Sequence, residues 1–246
     1  DRVLARSAAD KKGIDIQQGD ELVAVNGKRL NPDMPRDYYF YRPAMELELL
    51  LTFKREGVEK EVKIHPGGSL SRNLYDEWID ENSDRVKSLS KDKIAYAHMK
   101  NMGGGEINKF IMTMTRELNG KEGLILDLRY NTGGNVHDEL IRFLQQRTYL
   151  QWKSRGGTLS NQSNFAPSDY PIVLLINEQS LSDAEMTAAG FKELGLGTII
   201  GTETYRWIIF TSSMRLVDGS SHRMPGWGCY TLDGRNLEQE GVGPDI

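Results

Sequence analysis

One cysteine, Cys229, stands in 246 residues. That excludes an internal disulfide and any metal site built from several thiolates. Histidine is nearly as scarce. His65, His98, His137 and His222 lie far apart with no HExxH or other paired spacing, so no metal site is expected and no cofactor is implied. Long apolar runs are missing. Stretches such as Ile172–Ile176 are far too short to span a bilayer. Positive charge is not in excess either. Lys and Arg number 31 against 35 Asp and Glu, a net charge of -4, and this balance argues against a nucleic-acid binder, which normally carries a basic stripe. Asp1-Arg2-Val3-Leu4 shows no signal-peptide pattern, nothing repeats internally, and no segment is of low complexity.

What is present reads as two units, residues 1–66 and 67–246, joined at Gly67-Gly68-Ser69. In the first, Leu22 to Val25 suits a short buried strand, and Asn26-Gly27 is a tight-turn signal because both residues tolerate positive φ. Strands are expected over Leu47–Lys54 and Glu59–Ile64, separated by an Arg55-Glu56-Gly57 turn. An amphipathic helix is expected over Leu70–Val86, with Leu74, Trp78 and Ile79 on one side. Strands and helices then alternate. Strands are predicted at Ile94–His98, Gly123–Leu128, Ile172–Ile176 and Thr198–Gly201, and helices at Ile107–Leu118, His137–Gln145 and Asp183–Leu194. This order implies an α/β unit with a mostly parallel sheet covered by helices. Phe210 to Tyr230 reads as antiparallel strands around Asp218-Gly219, and the run Trp207–Phe210 reads more safely as a buried strand than as an exposed oligomer contact.

Three segments could carry chemistry. Asn177-Glu178-Gln179-Ser180-Leu181-Ser182-Asp183-Ala184-Glu185 follows a buried strand and opens a helix. A serine there exposes its hydroxyl beside the free amides of the helix start. The same residues also make a capping box, Ser182 with Glu185, that needs no catalysis, and Ser180 is a second hydroxyl nearby. Leu126 to Asn135 ends a strand in a Gly133-Gly134 turn. Its amides could donate to an anion, or the turn could simply need positive φ. It is not a P-loop, since no Gly-Lys-Ser/Thr follows. The tail from Leu232 to Asp245, read alone, is a solvated acidic loop with Glu238 as surface charge.

Taken in order, Asp-x-Arg-x-Asn-x-Gly-Gly-Asn (from Asp127), Asn-Glu-x-x-x-Ser-Asp (from Asn177), Leu194 to Thr204, and Leu-Glu-x-x-Gly-Val-x-Pro-Asp (from Leu237) resemble the C-terminal processing peptidases and, more closely, the tricorn protease core. The first unit, through Gly19-Asp20 and Val25-Asn26-Gly27, resembles a PDZ peptide-binding module whose first strand and carboxylate loop would lie upstream of Asp1. The resemblance implies a ClpP/crotonase-like catalytic domain and a serine peptidase acting on peptides or unfolded proteins through an acyl-enzyme. It casts Ser182 as nucleophile, the amide of Asp183 and one from Gly133 or Gly134 as oxyanion hole, and Glu238 as the glutamate that holds and polarises the catalytic group. Asn131 and His137 are candidate substrate contacts.

The sequence also departs from the family. Where the processing peptidases have Thr-Phe-Gly-Lys-Gly with its basic lysine, this sequence has Thr204-Tyr205-Arg206-Trp207-Ile208. In the tricorn branch a Ser-His pair ahead of the PDZ module acts as base, which places the base before Asp1 and predicts that these residues alone are weakly active or inactive. The alternatives are a non-catalytic peptide-binding scaffold and a crotonase-like acyl-CoA enzyme. The resemblance leans toward export, to the periplasm or beyond, and leaves homo-oligomerisation open.

Overall fold

The computed structural model describes residues 2–41 and 48–246. The protein divides into two compact units, 1–82 and 83–246.

In the first unit, β1 (Glu21–Val25), β2 (Lys28–Arg29), the short α1 (Arg36–Phe40), β3 (Leu49–Arg55) and β4 (Val58–Ile64) follow in order. The strands form an antiparallel sheet in the spatial order β2-β1-β3-β4. Both hairpin turns work as the sequence predicts. Val25 pairs with Lys28 across Asn26 (φ 49°) and Gly27 (φ 75°), and Arg55 pairs with Val58 across Glu56 (φ 49°) and Gly57 (φ 84°). Val25, Tyr39, Leu49, Leu51 and Ile64 make a small core on one face. The expected start of β3 at Leu47 lies outside the described residues. The helix α2 (Ser71–Ser90) runs further than its apolar spacing indicates, and none of its side chains is fully buried. Leu74 in particular is exposed, while Trp78 stacks on Tyr75.

The second unit contains β5 (Ile94–His98), α3 (Gly104–Glu117), β6 (Gly123–Asp127), α4 (His137–Leu144), β7 (Leu150–Lys153), β8 (Leu159–Gln162), β9 (Ile172–Ile176), α5 (Asp183–Glu193), β10 (Thr198–Gly201), β11 (Phe210–Arg215), β12 (Ser221–Trp227) and α6 (Leu237–Glu240). Its main sheet has the order β10-β9-β6-β5, with every pairing parallel. The strands are near-continuous apolar runs because helices cover them: Leu124, Leu126, Leu174, Ile176 and Ile199 are fully buried. Ile107, Phe110 and Met114 supply the buried stripe of α3, and Phe110 meets Phe143 of α4 edge to face, centroids 5.6 Å apart. The result is a mixed α/β fold.

Two readings of the sequence are corrected. The run Trp207–Phe210 is not a buried strand. Only Ile208 is buried, Trp207 is 51% exposed, and β11 begins at Phe210. The Trp207 amide donates to the Glu185 carboxylate at 2.8 Å instead of to a neighbouring strand. The tail is not a free acidic loop. Leu237 and Val242 join the main core, and Asp245 accepts from the Ile199 amide at 2.9 Å, fastening the last residues along β10. The hairpins β7–β8 and β11–β12 each form a separate two-stranded sheet, and β7–β8 was not expected from the sequence.

Close packing of β10 on β9 can be tested at two glycines. A Cβ on Gly197 would lie 2.0 Å from the Ile172 carbonyl, whereas one on Gly195 would meet nothing and only strain φ at 60°. Gly197→Ala should therefore cost about 2 kcal/mol or more in chemical denaturation, and Gly195→Ala about 1 kcal/mol. Equal losses would contradict this packing.

Candidate active site

The carboxyl ends of β6 and β9 lie side by side, and the loops that leave them build the site. After β9 the backbone turns through residues 177–182 into α5. Hydrogen bonds stitch this turn to the neighbouring loop: Asn177 Oδ1 accepts from the Tyr130 amide (3.0 Å), Ser180 Oγ donates to the Leu128 carbonyl (2.9 Å), and the Leu181 amide donates to the Asn131 carbonyl (2.9 Å). Ser180 is fully buried and its hydroxyl is occupied, which removes it as an alternative nucleophile. Ser182, by contrast, is half-buried. Its backbone sits at φ 52°, ψ -111°, a conformation that non-glycine residues rarely hold and that surrounding structure must impose.

Both readings of the serine survive locally. Ser182 and Glu185 pair in capping-box fashion, with the Ser182 amide donating to Glu185 Oε1 at 2.9 Å. Yet the short bond of the Glu185 amide, also 2.9 Å, goes to the Ser182 carbonyl rather than to its hydroxyl. The hydroxyl thus holds no close cap bond.

The Gly133-Gly134 turn packs directly on this serine. A Cβ on Gly133 (φ 77°) would lie 2.8 Å from Ser182 Cβ, and one on Gly134 would lie 2.0 Å from the Met102 carbonyl. Only glycine lets the two backbones come this close. The two amides differ, however. Gly133 N–H donates to Asn131 Oδ1 at 2.9 Å. Among the described residues, the amides of Gly134 and Asp183 donate to no other group. Asn131 itself is fully buried, and its side-chain amide donates to the Met99 carbonyl at 2.7 Å. It shapes the turn from a buried position, with its side-chain oxygen and amide both engaged by backbone, where the sequence suggested a substrate contact.

His137 is likewise not among the residues that line the cleft beside Ser182. Its Nδ1 lies 2.5 Å from Asp183 Oδ1, while Asp183 Oδ2 accepts from the amides of Val136 (2.6 Å) and His137 (3.1 Å) at the start of α4. The Asp183 carboxylate therefore ties the first turn of α4 to the first turn of α5. The hydrogen bond to Asp183 raises the pKa of His137 above its ordinary 6.5, against the effect of burial.

The residue that sequence reasoning undervalued is Glu185. It is fully buried and accepts four hydrogen bonds: from the amides of Ser182 (2.9 Å) and Trp207 (2.8 Å) on Oε1, and from Thr204 Oγ1 (2.6 Å) and the Arg206 amide (2.7 Å) on Oε2. One carboxylate thereby fixes the backbone at Ser182 and the segment Thr204–Trp207, including Arg206 at φ 71°. The capping-box spacing pointed to one of these bonds; nothing local in the sequence announces the other three.

Ser182 opens onto a cleft of about 630 Å³ lined by Thr132, Gly133, Gly134, Leu181, Trp207 and Ile209, and also by Thr211, Arg223, Pro225 and Glu238. Glu238 sits on α6, exposed, with its amide capped by Asn236 Oδ1 at 3.0 Å. The structure thus brings Ser182, Asp183, Gly134 and Glu238 to one place. No histidine or lysine lines the cleft among the described residues. His98 is buried beside Asp127, with Nδ1 3.9 Å from Oδ1. Burial alone would push the Asp127 carboxyl up, but its contacts with His98, Arg129 and Tyr96 hold it down at about 2. His222 lies on β12, paired with Met214 away from the cleft lining, and His65 belongs to the first unit.

The sequence profile of peptidase family S41 matches residues 93–246. The protein is 33% identical over 174 residues to a tricorn protease of Thermoplasma acidophilum, covering 70% of this sequence and 16% of that protein. It superposes on a solved tricorn protease with a TM-score of 0.75 at 26% identity, covering 94% of this sequence and 23% of the other. It also superposes on a photosystem II D1 C-terminal processing protease with a TM-score of 0.53 at 18% identity, covering 94% of this sequence and 64% of that one, a likeness of fold. The 246 residues span less than a quarter of the length of the tricorn proteases they match.

Two outcomes follow from the hydrogen bonding. Glu185→Gln turns an acceptor of four donors into a group that presents its own N–H to some of them, so unfolding in urea should show a loss of about 2–4 kcal/mol. A variant within about 0.5 kcal/mol of the parent would remove Glu185 from the centre of the site. The raised pKa of His137 means the protonated form is favoured by folding. Its pairing with Asp183 adds stability that is complete below pH 6.5 and fades as pH rises through the folded value. The difference in Tm between the parent and His137→Gln should therefore be largest in acid and shrink in alkali. A difference independent of pH would show that the pairing is not ionic.

Proposed function

The chain belongs to peptidase family S41, and on that premise we propose that it is the nucleophile-bearing part of a tricorn-like serine peptidase that cleaves peptides or unfolded proteins. Ser182 Oγ attacks the scissile carbonyl carbon. The amides of Asp183 and Gly134 receive the developing oxyanion. The C–N bond then breaks, the amine leaves with a proton, and water hydrolyses the acyl-enzyme to free Ser182. The observation that carries this reading is the pair of backbone amides without other partners beside a half-buried serine of strained backbone. Donors that are already oriented stabilise charge without reorganising. We assign residues 67–246 to a ClpP/crotonase-like catalytic domain and residues 1–66 to a PDZ-like module. The module reading is supported by its antiparallel sheet and by a cleft of about 710 Å³ lined by Leu22, Leu30, Met34, Tyr39 and Phe40 among others.

A serine hydroxyl needs a base beside it to react well near neutral pH. With no histidine or lysine on the cleft lining among the described residues, we propose that the base comes from outside residues 1–246, with Glu238 placed to polarise it. The same gap favours the second reading, a scaffold that binds peptides without cutting them.

A fluorophosphonate probe on the full-length protein separates the two. Rapid labelling that Ser182→Ala abolishes is the expected result, together with a loss of peptide turnover of roughly a thousandfold or more. An unlabelled full-length protein would leave the scaffold. Residues 1–246 alone should label and turn over poorly, and fast turnover by them would remove the proposal of an outside base.

A further inference from the structure

The cleft beside Ser182 contains a cation that peptide-bond chemistry leaves unused. Arg223 lies on β12, where the hairpin register pairs it with Ser213 and pairs Pro225 with Thr211. Strand alternation puts Thr211, Ser213, Arg223 and Pro225 on one face of the hairpin. Three of these four line the cleft, so this is the face turned toward Ser182. Arg223 Nε donates to Thr211 Oγ1 across the strands. That bond fixes the plane of the guanidinium. Among the described residues, the Nη donors have no partner, and Arg223 forms no ion pair with Glu238, the other charged residue on the cleft wall. An oriented guanidinium with its Nη donors free is shaped to take both oxygens of a carboxylate. Leu181, Trp207, Ile209 and Pro225 give the surrounding wall an apolar character, which strengthens such a pair relative to open solvent.

We infer that Arg223 is a specificity-determining residue: it selects peptides that place a carboxylate, from an acidic residue or from their own C-terminus, in the apolar cleft next to Ser182. This rests on the cleft being where the substrate lies. Glu238 repels the same group, so the carboxylate docks at the hairpin and leaves the floor of the cleft to the scissile bond. Arg223 is exposed, which limits the gain and makes it sensitive to salt.

Binding tests this apart from turnover. Full-length protein carrying Ser182→Ala is titrated with fluorescein-labelled short peptides of alanine and leucine. One amidated pair carries a central Glu or Gln. A second pair is apolar and ends in a free carboxylate or an amide. At low salt, at least one carboxylate peptide should bind roughly tenfold tighter than its neutral counterpart. R223Q should erase that difference, R223K should retain only part of it because an ammonium keeps the charge but not the two-pronged geometry, and the pair that responds identifies the source of the carboxylate. Equal affinity within both pairs, a preference that persists in R223Q, or no binding by any peptide would overturn the inference. Fluorophosphonate labelling of the parent is read separately. A carboxylate preference in a protein that does not label keeps this inference and removes the peptidase reading. Labelling without the preference does the reverse.

Discussion

The site depends on one buried carboxylate. Among the described residues no cation pairs with Glu185; it is held by three backbone amides and one hydroxyl. A buried charge is tolerable only when its oxygens are hydrogen-bonded, and here each oxygen receives two bonds. The consequence is geometric. The amide of Ser182 and those of Arg206 and Trp207 come from segments far apart in sequence, yet they converge on one group whose position α5 fixes. That convergence sustains a positive φ at two non-glycine residues, Ser182 and Arg206, which would otherwise relax.

A second carboxylate divides the labour. Asp183 turns its side chain toward α4, and its backbone N–H, next to Ser182, has no partner among the described residues. The carboxylate satisfies the amides of Val136 and His137, which a helix start leaves without intrahelical partners. The Gly133-Gly134 turn is divided in the same way. Gly133 spends its amide on Asn131 to hold the turn, and Gly134 keeps its amide free while its missing Cβ admits the Met102 carbonyl. In each adjacent pair one group is structural and the other is left available. The polar residues around the site thus act mostly by aiming backbone N–H groups, not by touching whatever binds there.

This explains what the sequence made legible. The parallel strands were readable because each is a short apolar run set between helices of clear period, and Ile94–His98, Ile172–Ile176 and Thr198–Gly201 have the bounds expected of them. The two tight turns were readable because positive φ restricts composition. Ser182, the glycine turn and Glu238 were found as motifs, and the fold brings them to a common cleft. The rest depended on long-range pairing. Trp207–Phe210 looks like a buried strand by hydropathy alone, but the amide that opens it is taken by a carboxylate from another element, and no local pattern encodes that. Asn131 and His137 lie within or beside the motif, so they looked exposed to substrate. Their actual partners, Met99 and Asp183, are 32 and 46 residues away.

The same bonding sets how chemical work is shared in the proposed mechanism. Oriented amides are commonly worth a factor of about 10²–10³ in rate, and a well-placed general base a further 10²–10⁴. The second unit has the equipment for the first term: a strained serine, two free N–H groups and an apolar wall. Its lysine-free Thr204–Ile208 segment is committed by backbone to Glu185, and its histidines are committed elsewhere or lie off the cleft. Substituting a lysine at Arg206 would not restore a base, because the Arg206 side chain leans toward Glu203, its Nε 2.5 Å from Oε1, while its backbone stays pinned at φ 71°. In the proposed mechanism the group that activates Ser182 approaches the open side of the cleft, where Glu238 stands exposed, while the segment that Glu185 holds stays in place.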